Sequence, residues 1–172
     1  AQTVFYEQTG GKIKLGEKEV SVTVVQVDFS EFADNGSADF NVVAKLDLTP
    51  FKADMGEFPY KYFKKYIPDN LYVSSTVRVD KAEAEGFDYT VTHKSLTLNN
   101  LSADDTADLF DTLNAVLKIG TAENLNLQIG KTAVNALIGN AENSGFAYSM
   151  KAIGATTFNF ATVSGVDWFI VY

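Results

Sequence analysis

A two-residue alternation of apolar and polar side chains is the feature that most limits what this chain can fold into. It is clearest over residues 38–48, ADFNVVAKLDL. Every second position there is apolar (Phe40, Val42, Ala44, Leu46, Leu48), and polar side chains stand between them (Asp39, Asn41, Lys45, Asp47). Successive side chains of a strand point to opposite faces of its sheet, so this stretch is predicted to be a strand with one buried and one wet face.

The same period recurs along much of the chain. It predicts further strands over residues 18–29, 71–80, 86–98, 146–153, 156–163 and 166–172, which are rich in β-branched and aromatic side chains. Asn35-Gly36 is a strong hairpin signal, because both central positions of a type I′ turn need positive φ. The sheet is therefore expected to be mainly antiparallel and meandering, with the last three strands in a hairpin series ending at Tyr172.

Two longer stretches have helical spacing. In the first, Ser102 and Asp105 form a capping-box-like pair and Gly120 is placed to end the helix. Its apolar face contains Leu109, Phe110, Leu113, Val116 and Leu117. The second, residues 124–145, is predicted as strand then helix because Leu125, Leu127 and Ile129 alternate; one longer helix interrupted by Gly130 is the alternative.

These patterns predict one α+β domain over residues 1–172, with a mainly antiparallel, curved, meandering sheet and two to three helices packed on one face. With 172 residues, 46% of them hydrophobic, the chain can form one continuous core. The predicted core contains Val42, Leu46, Val73, Val77, Tyr89, Val91, Leu109, Phe110, Leu113, Leu117, Phe158, Phe160, Trp168 and Ile170.

The most unusual local composition is FPYKYFKKYIPDN, residues 58–70. On a helical wheel one arc is aromatic and aliphatic (Tyr60, Tyr62, Phe63, Tyr66, Ile67) and the opposite arc carries the lysines at 61, 64 and 65. So short a helix does not persist alone, so the aromatic arc is expected to pack against something. It can cap the rim of the sheet, form a flap over an apolar groove, or lie on a lipid surface; these five residues are the predicted ligand-binding set.

The sequence offers little reactive chemistry. His93 is the single histidine and there is no cysteine, so the usual zinc ligand sets are missing. His93 is in phase with Tyr89 and Val91 and is expected to be a hydrogen-bonded core residue. Gly130-Lys131-Thr132 lacks the first glycine of a P-loop. We therefore predict no metal, no cofactor and no enzymatic activity.

Charge and hydropathy limit the partners. With 14 basic against 22 acidic residues, a net charge of -8 and a single arginine, no nucleic-acid partner is expected. No apolar run approaches the roughly 20 residues of a membrane-spanning helix, so no transmembrane segment is expected. The start at Ala1, running at once into TVFYE, predicts an exported protein, either secreted or anchored to the cell envelope.

One resemblance extends these predictions. The course from IPDNLYVSSTVRVD through FDYTVTHKSLTLNNL into a helix with LFDTLNAVL, about residues 67–120, resembles bacterial envelope proteins related to the tubular lipid-binding superfamily. It implies an extracytoplasmic, lipoprotein-like domain with a hydrophobic groove and no catalysis.

Two functions follow from the sequence. The first is a non-enzymatic extracytoplasmic binding protein whose apolar groove, between sheet and helices, holds a lipid or another hydrophobic small molecule. The alternative is a cell-surface structural or interaction protein whose edge strands, such as VDWFIVY or TVFYEQ, pair with a protein partner. A hydrolase using His93 with an acid is a third hypothesis.

Overall fold

The computed structural model describes residues 11–33, 36–53, 67–82, 86–99, 101–137 and 150–172. Within these ranges the strands are β1 (Lys12–Leu15), β2 (Lys18–Ala33), β3 (Ser37–Asp47), β4 (Asn70–Lys81), β5 (Tyr89–Leu98), β6 (Phe158–Val163) and β7 (Val166–Val171). The helices with defined bounds are α1 (Thr49–Ala53), α2 (Ala103–Leu117) and α3 (Ala122–Leu137).

Strands β1 to β5 form one antiparallel sheet in sequence order, and β6 and β7 form a second antiparallel pair. The larger sheet curls into a half-barrel. Strand β2 has register shifts at Val24/Gln26 and at Ser30/Ala33, and such bulges increase the twist and bend of a sheet. The predicted α+β fold with a curved, meandering antiparallel sheet is confirmed.

The hydrophobic alternation marks the inner face of the half-barrel. Phe40, Val42, Ala44 and Leu46 of β3 are all buried there. Their cross-strand neighbours on β4, including Val73 and Val77, are buried as well. Burying one face of every strand fixes the register, because a slip of one residue would expose the whole apolar set.

Helix α3 lies against this inner face and contacts β1, β3, β4 and β5. The prediction of a strand before Gly130 is wrong, because Leu125, Ile129 and Ala133 recur at four-residue spacing and are buried on one helix face. Gly130 lies inside the helix, where a Cβ atom would stand 2.3 Å from Cγ1 of Val77. It therefore permits close packing of helix on sheet and does not interrupt the helix.

Helix α2 begins as predicted and ends earlier than predicted. The Ser102 hydroxyl accepts the Asp105 N–H at 3.1 Å, which caps the first turn. At the other end Lys118 is the C-cap in the left-handed conformation, with φ 54°, two residues before Gly120, and its N–H donates to the Asn114 carbonyl at 3.1 Å. A residue other than glycine therefore closes the helix.

A cluster of phenylalanines joins the small sheet to one end of the half-barrel. Phe160 of β6 is buried against Phe29 and Phe32 of β2, and Phe158 is buried beside Phe160 and Phe87. The ring centroids of Phe29 and Phe160 are 5.1 Å apart, within the range of favourable aromatic pairs. This end of the half-barrel is therefore filled by side chains.

The C-terminal hairpin is confirmed, but the predicted series of three strands is not. Ser164 and Gly165 both have positive φ and form the two-residue turn between β6 and β7. The predicted strand over residues 146–153 is wrong where it can be compared, because residues 150–152 are helical. Residues 146–149 lie outside the described ranges.

Most of the predicted core is correct. Val42, Leu46, Val73, Val77, Phe110, Phe158 and Phe160 are buried, and Tyr89, Val91, Leu113 and Ile170 are partly buried. The prediction that Leu109 and Trp168 belong to the core is wrong, because 38% and 52% of their surface is exposed. Both lie on faces that no described element covers. The side chain of Leu117 lies outside the described part of the chain.

Candidate functional site

The end of the half-barrel opposite the phenylalanine cluster holds an apolar pocket of about 280 Å³. Its sheet wall consists of four leucines at strand ends: Leu15, Leu48, Leu71 and Leu98. Leu48 and Leu98 are buried, whereas Leu71 is partly exposed. The apolar residues of the inner face therefore continue to the ends of the strands, and Leu48 follows β3 directly, so that they line the sheet side of the pocket.

Helix α2 supplies the second wall. Leu109, Phe110 and Leu113 lie on its apolar face, and Ile119 follows the end of the helix. Phe110 is fully buried, Leu113 is partly buried and Leu109 is 38% exposed. One face of α2 therefore extends from the floor of the pocket to its mouth.

The third wall begins at α1. Phe51 is the buried residue of this short helix and faces the pocket. The Asp47 carboxylate accepts the Thr49 N–H at 2.9 Å and so caps α1. This backbone bond, aided by the Thr49 hydroxyl, holds the pKa of Asp47 below its usual value.

Ile67 and Pro68 complete that wall. The Lys52 ammonium and the Asp69 carboxylate form an ion pair at 2.6 Å, which links the two chain segments on either side of residues 54–66. Of the predicted ligand-binding residues, the structure places Ile67 in the pocket wall. Tyr60, Tyr62, Phe63 and Tyr66 lie outside the described residues, and their role stays a prediction.

The pocket wall offers almost no polar group. Among its described lining residues Thr112 alone has a polar side chain, and its hydroxyl donates to the Asp108 carbonyl at 2.9 Å within α2. A nucleophile, a general acid and a general base are all missing from the described lining. The described lining can therefore bury hydrocarbon.

Comparison with protein-family models, with curated proteins and with solved structures finds no match. What this chain binds has therefore to be inferred from its own geometry.

A buried polar network lies between α3 and the sheet, away from the pocket. Asn126 of α3 is completely buried, and its side-chain Nδ2 donates to the Thr76 carbonyl at 2.9 Å. The same nitrogen lies 2.6 Å from Nδ1 of His93, and the Ser75 hydroxyl donates to Asn126 Oδ1. A polar residue on the apolar face of a helix, between Leu125 and Ile129, is the one sequence signal that could have revealed this network.

The network fixes the tautomer of His93. A carbonyl only accepts, so the Thr76 carbonyl sets the orientation of the Asn126 amide, and His93 Nδ1 must then accept from Asn126. The ring proton therefore sits on Nε2. His93 lies on the inner face as predicted but is exposed, so the prediction that it is buried is wrong. In this tautomer its second nitrogen is a donor and not a base.

The outer face of the sheet holds one buried carboxylate. Asp39 pairs with Arg78 at 2.9 Å and with Lys94, which the register shift of β5 places on this side. The single arginine is thus used in an internal ion pair. Within the described residues, no group of three or more histidine or acidic side chains is placed to hold a metal ion.

A second exposed apolar surface lies on the C-terminal hairpin. Val163, Val166 and Trp168 are each more than half exposed, and the alternation places them on the face of the hairpin that points away from the phenylalanine cluster. In the part of the chain that the structure describes, no helix is long and apolar enough to cross a membrane.

Proposed function

We propose that this protein is a non-enzymatic binding protein that holds the apolar part of a small molecule, such as the acyl chain of a lipid, between its sheet and α2. The observation that carries the proposal is the pocket of about 280 Å³ with an almost wholly apolar described wall. Small-molecule sites are typically concave and mostly apolar, and this pocket lies near the lower end of their usual size. The pocket lies where α1, α2 and the ends of four strands meet, and this position between sheet and helices supports the proposal.

The volume sets the size of the ligand. A dry apolar cavity of about 150 Å³ in another protein accepts benzene, which has six carbons. By proportion, a pocket of about 280 Å³ holds about eleven non-hydrogen atoms. Burial of about ten methylene groups supplies roughly 8 kcal/mol before the cost of ordering the ligand, so we expect Kd values in the micromolar range or weaker.

Native mass spectrometry provides the test. We expect the purified protein to bind added decan-1-ol with a stoichiometry of one. Substitution Leu109→Trp, at the mouth of the pocket, should weaken binding at least tenfold because the larger side chain occupies the ligand volume. Leu101→Trp is the matched control, since Leu101 is similarly exposed (40% against 38%) but does not line the pocket.

Denaturing solvent extraction of the purified protein would identify any acyl compound that is carried through purification. If millimolar decan-1-ol forms no complex, or if both tryptophan variants bind like the wild type, the pocket is not a ligand site. The extracytoplasmic location and the lack of enzymatic activity stay predictions from the sequence.

A second candidate function, association through edge strands, is favoured by the exposed face of β7. Gln128 of α3 donates to and accepts from the backbone of Lys14 at 3.1 Å, so the β1 edge is partly covered. Among the described residues β7 pairs with β6 alone. We propose that its partner is β7 of a second copy of the chain. Antiparallel pairing of the two β7 strands, centred on Phe169, would bring their apolar residues together. The two Asp167 side chains would then lie at opposite ends of the paired strands.

The oligomeric state tests this candidate. Sedimentation velocity from 10 to about 500 μM should show concentration-dependent dimers. Trp168→Ser should abolish them, while Tyr72→Ser, at a comparably exposed aromatic on β4, should not. A monomer at every concentration would rule out pairing at β7.

A further inference from the structure

We infer that the pocket recognises the hydrocarbon tail of its ligand alone and leaves the head group outside, so that tails of equal length bind alike whatever head group they carry. This inference rests on the proposed function. It adds two statements to that function. The hydrocarbon tail determines the affinity, and a tail longer than the pocket gains no further affinity.

The first support is the lack of a free polar partner among the described residues that line the pocket. The floor consists of Leu48, Leu98 and Phe110, all buried. The Thr112 hydroxyl has its one proton engaged by the Asp108 carbonyl. A buried polar head group would leave its hydrogen-bonding groups unpaired among these described residues, which costs far more than leaving it in water.

The second support is the charge near the mouth. Lys52 follows the lining residue Phe51, but its ammonium is already paired with Asp69 at 2.6 Å. Helix α2 contains Asp108 and Asp111 and no basic residue, whereas Lys118 stands next to the lining residue Ile119. Charges of both signs therefore flank the described walls, and they do not select one type of head group.

The third support is the closed floor. Because the pocket holds about eleven non-hydrogen atoms and ends at buried side chains, carbons beyond that length extend past its described walls. Each methylene group that enters the pocket should lower Kd about fourfold. Each methylene group beyond the pocket should leave Kd almost unchanged.

Isothermal titration calorimetry at fixed ionic strength tests both parts. Decan-1-ol, decanoate and decyltrimethylammonium should bind with Kd values within about threefold of one another. In the alcohol series, affinity should rise from hexan-1-ol to decan-1-ol and level off by tetradecan-1-ol. Leu109→Trp should weaken every member of both series, which locates the binding at the pocket.

A tenfold preference for one head group would overturn the inference while leaving the proposed function intact. Loss of a decanoate preference in Lys118→Gln, or of a decyltrimethylammonium preference in Asp108→Asn, would identify the charge responsible. Affinity that keeps rising to tetradecan-1-ol would overturn the length limit. Failure of all these compounds to bind would contradict the proposed function and the inference together.

Discussion

At the residue scale, Gly130 determines how closely α3 approaches the sheet. Alanine favours helices by about 1 kcal/mol over glycine, yet a Cβ here would stand 2.3 Å from Val77 Cγ1. Overpacking of this kind costs about 1–3 kcal/mol. The overpacking cost less the gain in helix propensity leaves a net loss, so we expect Gly130→Ala to lower the free energy of unfolding by up to about 2 kcal/mol in urea titrations. The substitution Lys131→Ala, at an exposed position of the same helix, should change the free energy of unfolding by less than about 0.5 kcal/mol. A Gly130→Ala variant about 1 kcal/mol more stable than the wild type, as helix propensity alone predicts, would contradict the packing described.

Tyr89 gives the stability a dependence on alkaline pH. Burial of its phenol raises the pKa to about 12. The unfolded chain loses this proton near pH 10, so between pH 10 and 12 it binds fewer protons than the folded chain, and the free energy of unfolding falls as pH rises. We expect wild type to lose up to about 2 kcal/mol more than Tyr89→Phe across this window. If the free energies of unfolding of the two proteins fall in parallel over this pH range, the phenol of Tyr89 is solvated and the prediction is wrong.

At the element scale, Lys118 closes α2 in a conformation that costs most residues energy. Its φ of 54° is left-handed, and glycine reaches this region without a steric penalty. Lys118→Gly should therefore raise the free energy of unfolding by about 0.5 kcal/mol. The same change at Lys131, inside α3, should lower it by about 1 kcal/mol. Denaturation midpoints that fall in both variants would refute the assigned C-cap.

The elements also explain where sequence patterns succeed and fail. Strand β3 was predictable because Phe40, Val42, Ala44 and Leu46, which alternate in the sequence, all lie on the face that is fully buried. The start of α3 was not, because Leu125, Leu127 and Ile129 satisfy a two-residue period while Leu125 and Ile129 also lie one helical turn apart. The end of α2 was misplaced since glycine is the usual terminator, and nothing in the sequence marks Lys118 as left-handed.

At the scale of the whole molecule, the two ends of the half-barrel differ. Phenylalanines fill one end, and the other keeps a pocket. The apolar groove expected from the sequence stays a prediction. It could not place the pocket, because the walls come from strand ends, α1 and α2, which meet only in the folded chain. Trp168 was misassigned for a related reason, since alternation along β7 does not reveal which face is covered.

A titration of methyl-labelled protein with decan-1-ol, followed by NMR, shows directly whether the pocket binds hydrocarbon. Binding in the pocket predicts chemical-shift changes concentrated at the methyl groups of Leu15, Leu48, Leu71, Leu98 and Leu113. The methyl groups of Val163 and Val166, on the C-terminal hairpin, should not respond. Changes centred on those valines, with the pocket leucines unaffected, would contradict the account and move the apolar binding surface to β7.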